Sequence, residues 1–275
     1  MKATVFLGAG RITGALAAGL RLAEHGRKTD GHKKDKRTIV AYDRHPEKLR
    51  ALRRESRVEM ARDLKSAVER AEMLIVAVRP RSVKKMLAQV VESGAAPPRL
   101  CISLAAGVPL RNLQAWLGPP ARWIRAMPSP VCRIGRGLTA LCFDRDVSKA
   151  DRARVQKFFE HVGPVLELRE EQMNAITAAY SPSHGYHALA GLAAAAQSAG
   201  LDHETALIAA AHALADGIEY WRRSGQNLDE LLHEAATPGG TAAATMAAMD
   251  KSGYARAVAA GIRAGIRQAR RNAGL

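Results

Sequence analysis

The chain has 275 residues, 47% of them hydrophobic and 25% charged, with three cysteines. That is enough to bury one large core or two smaller ones, and it excludes both a disordered chain and a disulfide-stapled miniprotein. The 42 basic and 26 acidic residues leave a net charge of +16, which raises nucleic acid, a membrane surface or anionic small molecules as partners and says nothing about fold.

Short β-branched runs at 4–7, 38–42, 73–78, 100–103, 123–126, 139–143 and 165–168 alternate with helical patterns at 11–24, 46–55, 63–71 and 82–91. This alternation predicts a parallel sheet with crossover helices, a doubly wound α/β domain over residues 1–169. Between the first helix and the second strand, residues 26–37 are too polar and glycine-bearing for either neighbour and are expected to form an exposed basic loop. After residue 169 no strand pattern follows. Ala-rich runs are broken at Ser181-Pro182, Gly200, Gly225, residues 237–240 and Gly253, so 170–275 is predicted to be an all-α second domain. Helix faces such as Ala188, Leu192, Ala195 and Ala196 bury little area, and such a bundle is expected to pack on a second subunit.

The run 4–7 is too short for a signal segment, and 189–196 is too short to span a membrane. Cys101, Cys132 and Cys142 form no C-x-x-C pair and have no histidine cluster at metal-ligand spacing. Reduced thiols, no metal and a cytoplasmic location are expected.

Gly8 and Gly10 stand after the first strand and before a helix. In a dinucleotide-binding turn the first glycine permits the bend and the second lets the backbone approach the pyrophosphate. Arg11, Ile12 and Thr13 open the helix, with Thr13 where G-x-G-x-x-G has its third glycine. Asp43 closes the second strand, where a carboxylate can accept from ribose hydroxyls and favour NAD; Arg44 beside it could take a 2′-phosphate and favour NADP. Asp43 could equally cap the following helix. Two further turns lie at strand ends, one with Ala77, Val78, Arg79 and Pro80, the other with Ala105, Ala106 and Gly107. Small residues there let a cofactor ring approach. Thr237, Pro238, Gly239, Gly240 and Thr241 precede a helix, either as an ordinary helix–helix turn or as a receptor for a carboxylate.

Taken together and in order, these motifs resemble the pyrroline-5-carboxylate reductases. The resemblance comprises Gly8-Ala9-Gly10, Ala77-Val78-Arg79-Pro80, Ser103 to Val108, Arg125-Ala126-Met127-Pro128, Gly135 to Leu141, Val162-Gly163 and the loop 237–241. It implies an N-terminal Rossmann domain, a helical C-terminal domain that pairs with a partner subunit as at least a homodimer, and NAD(P)H-dependent reduction of a cyclic imine acid to proline. On that resemblance Ser129 and residues 237–241 would bind substrate. Thr241 and Ser183 are candidate catalytic hydroxyls, with Tyr180 and His184 as alternates. The departures fall near the chemistry. Ser129 follows Met127-Pro128 where the family has Asn-Thr-Pro, residues 180–185 replace a Ser-Gly-Ser-Gly-Pro-Ala turn, and Ala242 stands where the family has threonine. A different imine substrate, or a cofactor-binding paralogue without turnover, is the alternative. Nucleic acid is not expected, because aromatic platforms are scarce at 4% aromatic residues. Much of the basic excess lies in 27–37 and 251–275, away from these motifs.

Overall fold

In the computed structural model the described residues are 3–26 and 37–274, so most of the expected basic loop lies outside them. In chain order the elements of the first part are β1 (Ala3–Leu7), α1 (Arg11–Gly26), β2 (Ile39–Tyr42), α2 (Pro46–Ser56), β3 (Glu59–Met60), α3 (Leu64–Arg70) and β4 (Ala71–Val76). There follow α4 (Pro80–Glu92), β5 (Leu100–Ser103), α5 (Leu110–Trp116), β6 (Arg122–Pro128), a 3-10 turn (Pro130–Ile134), β7 (Thr139–Phe143), α6 (Lys149–Glu160) and β8 (Val165–Glu167). The rest is helical: a 3-10 turn (Glu170–Gln172), α7 (Met173–Ala179), α8 (Pro182–Ser198), α9 (His203–Ser224), α10 (Leu228–Ala235), α11 (Thr241–Lys251) and α12 (Tyr254–Asn272).

The sheet runs in the order β3-β2-β1-β4-β5-β6-β7-β8. Its strands alternate between two cores. Phe6, Ile75, Ile102 and Ile124 face one, with Leu16, Leu20 and Phe159; Val5, Leu7, Leu74, Val76 and Trp123 face the other, with Val83, Leu87 and Leu113. Burial on both faces is why these strands read as nearly continuous apolar runs. Two sheet details correct the sequence reading. β7 pairs antiparallel with β6, so the sheet is not wholly parallel. The two-residue β3 was not anticipated, because Glu59 and Met60 are both exposed and carry no burial pattern.

Capping chemistry sets several boundaries. Pro46 and Pro80 occupy first-turn positions of α2 and α4, where a missing N–H costs nothing. Asp63 accepts from Ser66 N–H at 2.7 Å, and Ser66 Oγ accepts from the Asp63 N–H at 3.3 Å, closing a capping box on α3. The helical breaks expected from sequence also hold: α8 starts at Pro182, and Gly225 terminates α9 in the left-handed region.

By packing, the chain divides into one unit of Met1–Ala179 with Gly265–Leu275 and a second of Tyr180–Ala264. This boundary lies later than the composition shift at 169/170, because Met173 on α7 is buried in a core of the sheet domain. In the helical unit α8 packs on α9. Small residues such as Ala193, Ala206 and Ala210 are buried there, while Leu207, Ile208, Ile218, Tyr220 and Trp221 are exposed. No helix among the described residues is long and apolar enough to cross a membrane.

All three cysteines are free and buried. Burial pushes the Cys132 thiol up to about 12 and that of Cys142 up to about 11, and it raises Cys101 as well. Native protein should therefore react negligibly with a disulfide reagent at pH 8, and all three thiols should titrate in guanidinium. A fast native thiol would contradict the packing. Unfolded thiols ionise near pH ~8.5. Above that the unfolded chain binds fewer protons than the folded one, so this contribution to stability should fall as pH rises from about 8.5.

Candidate active site

The strand order reverses direction at β1, whose neighbours are β2 and β4. Ligands of open α/β sheets bind at the carboxyl ends of the strands at such a switch point. The backbone knits that edge together. Gly8 N–H donates to the Tyr42 carbonyl at 2.7 Å, Ala77 N–H to Leu7 at 2.8 Å, and Leu104 N–H to Val76 at 2.9 Å. Four turns predicted from separate stretches of sequence, those at Gly8, Asp43, Ala77 and Ala105, therefore lie side by side.

Gly8 has φ +113°, and a Cβ there would stand 2.8 Å from the Ala77 carbonyl oxygen, so the bend and the contact both require glycine. Gly10 is exposed, and a Cβ there would have nothing within 4 Å, which leaves room for a pyrophosphate before α1. The missing third glycine is explained by Thr13. It is fully buried, and its hydroxyl donates to the Gly8 carbonyl at 2.7 Å, fastening the helix to the turn.

Asp43 is committed to the same turn. One carboxylate oxygen accepts from Ala9 N–H at 2.8 Å and the other from His45 N–H at 2.9 Å. Asp43 thus holds the glycine turn and closes the bend at His45, whereas α2 begins at His45 with no side-chain cap, so the helix-capping role read from sequence is not the one Asp43 plays. Arg44 is exposed at the edge, with Nε 3.1 Å from His45 Nε2. Arg79 precedes α4 and Arg81 lies in its first turn, both exposed.

Ala105 is buried and Ala106 partly so at the end of β5. Gly107, at φ +81°, turns toward α12, where a Cβ would come within 2.1 Å of the Ala269 carbonyl oxygen. Its small size serves that contact. Ser129 is also buried, and its hydroxyl accepts from Val131 N–H at 3.3 Å as cap of the 3-10 turn Pro130–Ile134.

In the helical unit Ser183 and Thr241 open α8 and α11. The Ser183 hydroxyl lies 2.7 Å from that of Ser181, which caps the helix. Thr237, Pro238 and Gly239 are exposed, Gly240 is the N-cap of α11 and carries no side-chain cap, and the Gly240 N–H donates to the Thr237 carbonyl at 2.9 Å. Among the described residues no group of histidine, cysteine, aspartate or glutamate could hold a metal ion.

The fold and this edge define a dinucleotide-binding oxidoreductase domain followed by a helical domain. Residues 4–107 match the family model described as NADP oxidoreductase coenzyme F420-dependent, and residues 170–272 match pyrroline-5-carboxylate reductase dimerisation. Over most of its length the chain is similar to pyrroline-5-carboxylate reductases. It is 29% identical over 232 residues to the pyrroline-5-carboxylate reductase of Synechocystis sp., covering 84% of this chain and 86% of that one. In fold it is similar to pyrroline carboxylate reductase of Plasmodium falciparum with NADP bound, at TM-score 0.83, 20% identity and coverage of 99% and 98%. The 1-pyrroline-5-carboxylate reductase of Streptococcus pyogenes gives TM-score 0.85 at 20% identity, covering 98% of each chain.

Sequence reasoning missed the ion pair of Arg125 with Glu170, at 3.0 Å. Arg125 had a signal: a charged residue inside an apolar strand must find a partner.

Proposed function

We propose that the protein reduces 1-pyrroline-5-carboxylate to proline with NAD(P)H. The observation that carries this reading is the four-turn edge at the β1/β4 switch point, in a chain whose helical part matches the dimerisation domain of that family. When bound, the cofactor supplies the hydride that adds to the imine carbon. Gly8, Gly10, Arg11, Ile12 and Thr13 form the pyrophosphate turn, where the free N–H groups opening α1 and its dipole favour an anion. Arg44 offers its guanidinium to the adenosine ribose side, with Asp43 already engaged by Ala9 and His45. Ala77, Val78, Arg79 and Pro80 line the neighbouring turn, and Ala105 and Ala106 lie at the nicotinamide side.

Substrate binding falls to residues 237–241, whose exposed loop and uncapped helix start suit a carboxylate. Thr241 and Ser183 are the hydroxyls that would hold or deliver a proton at the imine nitrogen. Ser129 acts as a buried support for the substrate edge. The helical domain forms at least a homodimer, which would cover the apolar side chains left exposed on α9. The cytoplasm suits the three reduced thiols, and neither a membrane nor a nucleic acid is a partner in this reading.

The test is an absorbance assay of NADH and NADPH oxidation against pyrroline-5-carboxylate, pyrroline-2-carboxylate and the piperideine carboxylates. Turnover should be highest with pyrroline-5-carboxylate. Turnover confined to another imine reassigns the substrate, and cofactor binding without any turnover makes the protein a non-catalytic paralogue.

A further inference from the structure

One oxygen of Glu170 takes two hydrogens. Arg125 Nη1 donates to Oε1 at 3.0 Å, and the backbone N–H of Leu110 donates to the same atom at 2.7 Å. Arg125 is only 3% exposed and stands in β6 beside Cys142 of β7. Its Nη2 has no partner among the described residues. Glu170 is thus its only ion-pair partner among them.

Leu110 opens α5, and the residue before it, Pro109, has no side-chain acceptor with which to cap the helix. A carboxylate 60 residues further along the chain does so instead, on the favourable end of the helix dipole. The loop 104–109 is then fixed at both of its sensitive points: by Glu170 at Leu110, and by the α12 backbone against Gly107.

We propose that Glu170, held in place by Arg125, is a positioning residue for the cofactor: it fixes the loop 104–109 and so sets where Ala105 and Ala106 meet the nicotinamide side. The inference rests on the cofactor reading above. The two hydrogen bonds have separable effects. Charge balance for the buried Arg125 governs stability, and the bond to Leu110 governs the loop.

Three measurements on the full-length protein separate them: NADPH titration by fluorescence, thermal melting, and hydrogen exchange over residues 104–113. E170Q keeps an oxygen for the Leu110 N–H but leaves Arg125 uncompensated, so Tm should drop clearly while the NADPH Kd rises only slightly. R125M/E170M replaces the pair by apolar side chains, so Tm should stand above that of E170Q. Its NADPH Kd should rise by roughly tenfold or more, with faster exchange at Leu110, because the N–H has lost its charged acceptor. A Kd that follows Tm through the two variants, or exchange at Leu110 that stays at the wild-type rate in R125M/E170M, overturns the proposal. If wild type binds neither NADPH nor NADH while exchange at Leu110 still accelerates in the double variant, the cofactor reading fails and the latch itself stands as a purely structural device.

Discussion

Gly19→Ala should destabilise the protein by about 3 kcal/mol, and Gly14→Ala in the same helix should stabilise it by about 0.5–1 kcal/mol. Both are interior positions of α1, where alanine is ordinarily the better helix former by about that second amount. The difference is what each Cβ would meet. At Gly19 it would stand 2.0 Å from the Cys132 carbonyl oxygen and 3.0 Å from the carbonyl carbon, backbone atoms of the 3-10 turn that cannot swing away. At Gly14 the nearest atoms are the ends of Arg133 and Leu52 at 3.7 and 3.8 Å, an ordinary contact. For a domain of this size the first change corresponds to a drop in Tm of roughly 10 °C. Thermal melts of the two variants decide it. Equal shifts would mean that α1 does not press on the turn.

The second large effect concerns Asp43 and Arg44. From sequence alone these two neighbours pull cofactor preference in opposite directions, so removing each should shift it oppositely. The hydrogen bonds change the expectation for Asp43. Because both of its oxygens hold backbone N–H groups, at Ala9 and His45, Asp43→Ala should loosen the glycine turn and weaken NADH and NADPH together. Hydrogen bonds to a charged group contribute about 1.5–3 kcal/mol each, so a loss on the order of 10- to 100-fold in affinity is expected for both. Arg44→Ala should weaken NADPH alone, by roughly tenfold, leaving NADH near the wild-type value. Paired titrations of the two variants with both cofactors give the answer. A selective loss of NADH in Asp43→Ala would return that carboxylate to the ribose.

The two effects share an origin in contacts between parts of the chain remote from each other. Seven strands were legible because each carries a β-branched apolar run bounded by turn residues, and their positions differ from the structure mostly at the ends. Met73–Val78 shows how the ends slip: the strand is Ala71–Val76, since Ala71 pairs with Ala3 while Ala77 and Val78 already belong to the turn at the edge. The short β3 had no such signal. The reversed direction of β7 was hidden because a buried antiparallel strand has the same composition as a buried parallel one.

By itself the sequence determined the doubly wound order, the helical second half with its breaks at Pro182, Gly200, Gly225 and Gly253, and the four turns that meet at one edge. These are local matters: hydrophobic period, turn chemistry and caps act within a few residues. Only the tertiary structure decided what Asp43, Gly107, Ser129 and Glu170 do there. Asp43 reaches Ala9 across 34 positions and Glu170 reaches Leu110 across 60, and partners at such separations exist only once the sheet has brought its strand ends together.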